Sequence, residues 1–118
     1  GGIGITPLRA MAADLVAAGR SVVLLHACRR REDVAFEREW DDLAASGRFQ
    51  RHVILSDDPG APGRKGRITP ELLREFVPDA AGWDVFLCGP PPMMRALTAA
   101  LRQIGVPPAR IHFERFAL

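Results

Sequence analysis

The sequence is short of most features that would point quickly to a function class. Its two cysteines, Cys28 and Cys88, are too few and too far apart for a disulfide framework, so a reducing, cytoplasmic setting is expected. No apolar run approaches the roughly 20 residues that span a bilayer, and no signal peptide is visible. The opening at Gly1 implies a missing upstream segment, and any targeting information would be lost with it. A net charge of +2 is too small to argue for nucleic acid or an anionic membrane as partner. His26, His52 and His112 are scattered without metal-ligand spacing, so no metal is expected and all three read as strand-edge residues. Ser-His-Asp order, C-x-x-C and G-K-[ST] are missing, which removes triad, dithiol and P-loop chemistry.

What remains is an ordinary globular composition, 47% hydrophobic and 25% charged, in a length that suits one domain over residues 1–118. Leu8, Met11, Ala12, Leu15 and Val16 follow helical spacing over residues 8–18, with Gly19 as the natural stop. Val22-Val23-Leu24-Leu25 is a continuous apolar run, as in a strand buried on both faces. A helix follows over 32–45 with Phe36, Trp40 and Leu43 on one side, then a strand at 52–55. Residues 59–66 read as a Gly/Pro loop. Thr69-Pro70-Glu71 opens a helix over 72–77 with N-cap, proline and first-turn acid in order. A strand at 84–87 leads into Cys88-Gly89-Pro90-Pro91-Pro92. Met94, Leu97, Leu101 and Ile104 mark the next helix, and 110–114 the last strand.

This alternation argues for an α/β class, a three-layer α/β/α sandwich on a parallel sheet. Ligands in such sheets bind beyond the carboxyl ends of the strands. The unusual clusters fall at those ends: residues 1–6, 28–31, 56–58, 88–92 and 114–116. The opening Gly1-Gly2-Ile3-Gly4-Ile5-Thr6-Pro7 is a tight turn running into a helix start, an arrangement that offers backbone N–H groups to an anion. It matches the first two glycines of G-x-G-x-x-G and breaks the third. The acid expected after the second strand is replaced by His26-Ala27-Cys28-Arg29-Arg30-Arg31, so an ordinary Rossmann dehydrogenase is disfavoured.

Gly-Gly-Ile-Gly-Ile-Thr-Pro, Cys-Gly-Pro-Pro-Pro-Met and the C-terminal Glu-x-Phe, in this order and spacing, closely resemble the NAD(P)-binding half of the ferredoxin–NADP reductase superfamily. That resemblance covers the whole chain. It implies sheet order 3-2-1-4-5 with the first strand missing here, leaving a gap between the strands near Val23 and Val85. Residues outside this sequence, a neighbouring molecule or a rearrangement would complete the sheet. It also implies hydride transfer from NAD(P)H to FAD or FMN on an N-terminal barrel domain absent from this sequence. The electrons would pass onward to an acceptor protein or metal centre. The isolated piece would bind nucleotide weakly and catalyse nothing.

The resemblance also assigns roles. Gly1, Gly2, Gly4 and Pro7 would face the pyrophosphate, with Thr6 near the nicotinamide and flavin. The alternative is a structural turn with Thr6 as N-cap. Cys88 would sit beside the reacting nicotinamide carbon, or be a packed thiol. Gly89, Pro90, Pro91 and Pro92 would stiffen the turn and place Met93 over the pocket. Glu114 and Phe116 would join the nicotinamide–flavin contact, or be a solvated acid and a packing ring. Ser56 and Asp57 would read the adenosine ribose, favouring NADH because an acid repels a 2′-phosphate. Against that, Arg29, Lys65 and Arg67 suit phosphate, or form a solvated face. A competing class is a non-catalytic nucleotide-binding regulatory module with the same fold.

Overall fold

The computed structural model describes residues 5–113, with helices alternating with parallel strands in the expected α/β manner. The chain divides after Arg67 into two compact units.

The first unit holds α1 (Ile5–Ala17), β1 (Val22–Cys28), α2 (Glu37–Ala44), β2 (Phe49–Leu55) and β3 (Arg64–Lys65). β1 and β2 run parallel, in register from Val22 opposite Phe49 to Cys28 opposite Leu55. Side chains alternate across a strand, so Val22, Leu24 and His26 share a face with Phe49, Arg51 and Val53. Ile5, Ala12 and Val16 of α1 and Trp40 of α2 bury against Leu24 and Phe49 in one cluster. The Trp40 indole stacks on Phe49 at 5.6 Å, and its N–H donates to the Ala35 carbonyl at 2.8 Å. That bond satisfies the polar end of a ring otherwise buried in apolar surroundings. Gly19, at φ 81°, ends α1 in a left-handed turn that lets the Arg20 N–H reach the Leu15 carbonyl at 2.9 Å.

Three expectations are corrected in this unit. α1 starts at Ile5, so Thr6 and Pro7 lie inside its first turn, where a proline costs nothing. The helix expected over 32–45 is broken into a 3₁₀ turn at Arg31–Asp33 and α2 from Glu37. Phe36 between them takes φ 63°, a left-handed conformation costing a bulky residue about 1–2 kcal/mol. Packing repays it: the Phe36 ring meets Trp40 edge-on at 6.4 Å and lies 4.4 Å beneath the Arg9 guanidinium. The expected loop over 59–66 contains β3, which pairs with Ile54 and Leu55.

The second unit holds α3 (Pro70–Phe76), β4 (Val85–Leu87), α4 (Pro91–Gln103) and β5 (Ile111–Phe113). α3 starts as its sequence dictates: the Thr69 hydroxyl accepts the Leu72 N–H at 3.1 Å and Pro70 fills the first turn. Leu72, Leu73, Leu87, Leu97, Leu101, Val106 and Ile111 are buried. β4 and β5 pair in parallel, Val85 opposite Ile111 and Leu87 opposite Phe113. β5 starts one residue later than expected because Pro108–Arg110 forms a 3₁₀ turn.

The expected strand order is met in its two halves, as β2-β1 and β4-β5, with β3 added beyond β2. Among the described residues no ladder joins β1 to β4. No helix among them is long and apolar enough to cross a membrane.

Candidate functional site

In the first unit, β1 and β2 deliver two chain segments to the same end of the sheet. Backbone bonds extend the ladder past the strands: the Ser56 N–H donates to the Cys28 carbonyl at 3.0 Å and the Asp57 N–H to the Arg29 carbonyl at 2.8 Å. The Arg31 N–H donates to the Asp58 carboxylate at 2.9 Å. These three bonds fix the backbone that carries Arg29, Ser56 and Asp57. The Arg29 guanidinium then lies 3.1 Å from the Asp57 carboxylate, with both side chains well exposed. The Lys65 ammonium donates to the Asp58 and Ala61 carbonyls and staples the loop. Arg67 is exposed at the end of the same loop.

Beneath this edge lies a group that the sequence reading missed. Glu37, in the first turn of α2, accepts a hydrogen bond from Arg51 of β2 at 2.8 Å. Its other oxygen lies 2.9 Å from the Arg31 guanidinium, near enough to pair but not aligned as a hydrogen bond. The Arg51 hydrogen bond, helped by the positive charges of Arg51 and Arg31, holds the Glu37 carboxyl below its ordinary pKa against the opposing effect of burial. The Arg31 backbone at the strand end is thereby anchored to α2 and β2. His26 lies 6.4 Å edge-on from Trp40 and is 3% exposed, a core residue rather than the strand-edge residue expected. Burial is the main cause that pushes its pKa down from 6.5 to about 4, with neighbouring positive charges, Arg51 and Arg31 among them, acting the same way and Glu37 opposing them. Its Nδ1 and the Arg51 Nη1 are buried without hydrogen-bond partners among the described residues. The signal available in the sequence was parity: Arg51 sits between Phe49 and Val53 on a face that must be mostly buried.

Cys28 is half-buried, and burial raises its thiol pKa, which keeps it protonated and unreactive at neutral pH.

In the second unit, β4 runs directly into the Cys88 turn. Cys88 is buried at 6% exposure. Pro90 is the N-cap of α4, so Pro91 and Pro92 belong to its first turn rather than to the preceding bend. A helix start normally offers four free N–H groups. Here Pro90, Pro91 and Pro92 supply none, and the Met93 N–H is left. The dipole of α4 remains, but the cradle of donors that would grip a phosphate is gone. Met93 folds back over the turn: a Cβ built on Gly89 would lie 1.9 Å from its terminal methyl carbon. Glycine at 89 is therefore what allows a methionine to cover this bend.

Of the residues expected to act, the first unit brings Arg29, Ser56 and Asp57 together, and the second brings Cys88, Gly89, Pro90, Pro91 and Met93 together. Thr6 is exposed in the first turn of α1. Gly1, Gly2, Gly4, Glu114 and Phe116 lie outside the described residues. Among the described residues, no group of three or more His, Cys, Asp or Glu is placed to hold a metal ion.

Residues 1–99 match the Oxidoreductase NAD-binding domain family. The chain belongs to that family. A relative of this NAD-binding domain, the reductase subunit of a tert-butanol monooxygenase / tert-amyl alcohol desaturase from Aquincola tertiaricarbonis, is 40% identical over 98% of this chain and 32% of its own length. The crystal structure of an Amycolatopsis cytochrome P450 reductase aligns with TM-score 0.85 at 33% identity, over 96% of this chain and 34% of that one. The flavohem-like FAD/NAD-binding domain of a Vibrio cholerae nitric oxide dioxygenase aligns with TM-score 0.85 at 30% identity, over 98% of this chain and 48% of that one. The resemblance to the NAD(P)-binding half of ferredoxin–NADP reductases is borne out. The domain spans about a third of the length of the curated relatives it matches.

Proposed function

We propose that this domain holds NADH for a flavin-dependent reductase, with FAD on a barrel domain of the same parent polypeptide and an electron acceptor beyond it. The observation that carries the reading is the turn from Cys88 to Met93. A nicotinamide ring is flat, has little charge when reduced, and must approach the flavin closely. A strand end closed by a small thiol, with the donors of the following helix removed by prolines, suits such a ring better than a phosphate. The pyrophosphate is left to the start of α1, where Gly1, Gly2 and Gly4 precede Thr6 and Pro7.

When bound, NADH supplies a hydride, two electrons and a proton moving together from its C4 carbon. The protein's part is to position it. Cys88 bounds the ring without offering a strong hydrogen bond, and Met93 supplies an adaptable apolar cover. The resemblance implies that Thr6, Glu114 and Phe116 serve the contact with the flavin domain. Ser56 and Asp57 take the adenosine ribose, whose hydroxyls donate to the Asp57 carboxylate. The cytoplasmic setting expected from cysteine usage goes with this reading.

Anaerobic stopped-flow mixing of the full-length flavoprotein with NADH tests the proposal. Rapid bleaching of the flavin absorbance is expected, with NADPH slower. Binding of nucleotide without flavin reduction would make the domain a regulatory module, and absence of any nicotinamide-nucleotide binding would refute the reading altogether.

A further inference from the structure

We propose that His26, Arg51 and Glu37 together bind one internal water molecule between α2 and the β1–β2 ladder. The site is separate from the nucleotide reading above and does not depend on it.

The three residues come from three elements and converge on one side of the sheet. His26 of β1 lies opposite Val53, and Arg51 of β2 lies opposite Leu24, so both side chains leave the ladder on the face that carries Phe49. α2 covers that face: Trp40 stacks on Phe49 at 5.6 Å and meets His26 edge-on at 6.4 Å. Glu37 precedes Trp40 by about one helical turn, which puts it on the same flank of α2. Its Oε2 accepts from Arg51 at 2.8 Å. The charges of Arg51, Glu37 and Arg31 all act on the His26 ring, as groups in one cluster must.

Each of these side chains has one polar atom left over. His26 Nδ1, Arg51 Nη1 and Glu37 Oε1 are shut off from solvent and have no hydrogen-bond partner among the described residues. His26 is 3% exposed and the Arg51 side chain 14%. A buried polar atom without a partner loses its hydration and gains nothing, so three in one cluster call for a common partner. The chemistry of the set selects it. Arg51 Nη1 can only donate, the ionised Glu37 Oε1 can only accept, and Nδ1 of a neutral histidine can do either. An anion would accept from Arg51 but face the Glu37 carboxylate. A cation would suit Glu37 but face Arg51 and Arg31, which lies 2.9 Å from the same oxygen. A water accepts from Arg51, donates to Glu37 and keeps its second hydrogen for His26 Nδ1. Three bonds are what internal waters typically make. Held in this way, the water ties β1, β2 and the first turn of α2 together, and the proton of neutral His26 stays on Nε2.

The test is a crystal structure of the full-length protein, at a resolution that places ordered water and with bromide as the halide in the crystals. One isolated peak is expected about 2.7–3.2 Å from each of His26 Nδ1, Arg51 Nη1 and Glu37 Oε1, without an anomalous bromide signal. In the His26→Leu variant the peak should be lost, because one of its three partners is replaced by methyl groups. A bromide signal at the peak would make this an anion site and overturn the proposal. No density between the three atoms would overturn it, as would their pairing with one another or with another group of the parent polypeptide. A peak unchanged in His26→Leu would overturn the part given to His26.

Discussion

Acid should destabilise the first unit through one side chain, His26. In the unfolded chain this imidazole takes a proton at its ordinary pKa of 6.5, and in the folded core only near 4. The folded pKa is the lower one, so the unfolded state binds the proton first. Stability is therefore fully present above 6.5 and declines as pH falls through the window from 6.5 to 4. At about 1.36 kcal/mol per unit the total loss is at most about 3 kcal/mol, of which up to about 2 kcal/mol has gone by about pH 5. That is a large share of the 5–15 kcal/mol typical of a small domain. The effect of Glu37 has the same sign but belongs to more acid solution, because its carboxyl protonates below the ordinary 4.5.

Urea unfolding from neutral pH to about pH 5 measures this. With a slope of roughly 1–2 kcal/mol/M for a unit this small, the midpoint should move by about 1–2 M. His26→Leu supplies the control. It removes a titrating group whose Nδ1 has no hydrogen-bond partner among the described residues and leaves an apolar side chain against Trp40. Stability at neutral pH should be kept or raised, and the pH slope between 6.5 and 5 should flatten. A variant with the wild-type slope would refute the reasoning, as would an NMR titration placing His26 near its ordinary pKa.

Three further outcomes follow from single groups. Cys88→Ala should slow flavin reduction in the full-length protein more than it weakens NADH binding, read by stopped-flow absorbance against calorimetry; the wild-type rate would contradict it. Gly89→Ala drives a methyl into the end of the Met93 side chain, a flexible neighbour, so the melting temperature should hardly change while the Met93 methyl resonance shifts; an unshifted resonance would refute the contact. Thr69→Ala removes the oxygen that accepts the Leu72 N–H and should cost about 1 kcal/mol in urea unfolding, with an unchanged midpoint counting against the cap.

Much of this protein was legible along the chain because the relevant physics is local or periodic. Continuous apolar runs at 22–25 and 52–55 mark strands buried on both faces, and their parallel pairing follows from the helix between them. Thr69 and Pro70 open α3 through a hydroxyl, a fixed φ and nothing more distant. The opening glycine-rich motif and the Cys-Gly-Pro motif are written in residue types and spacing, which is why the NAD-binding family could be read along the chain.

Long-range contacts decided the rest. No proline or glycine breaks residues 32–45. The helix fails at Phe36 because Trp40 must reach Ala35 and Phe49 while Glu37 reaches Arg51. β3 exists because Leu55 has a free strand edge, not because Arg64-Lys65 prefers to be extended. The bonds from Lys65 to the Asp58 and Ala61 carbonyls, which staple its loop, follow from no local pattern. His26 looked like an edge histidine, and its neutral state is set first by burial in the core beside Trp40 and then by neighbouring positive charge such as that of Arg51. Local sequence selects the elements and their caps; which charges face one another, and which group is kept from water, depends on residues tens of positions apart that only packing brings together.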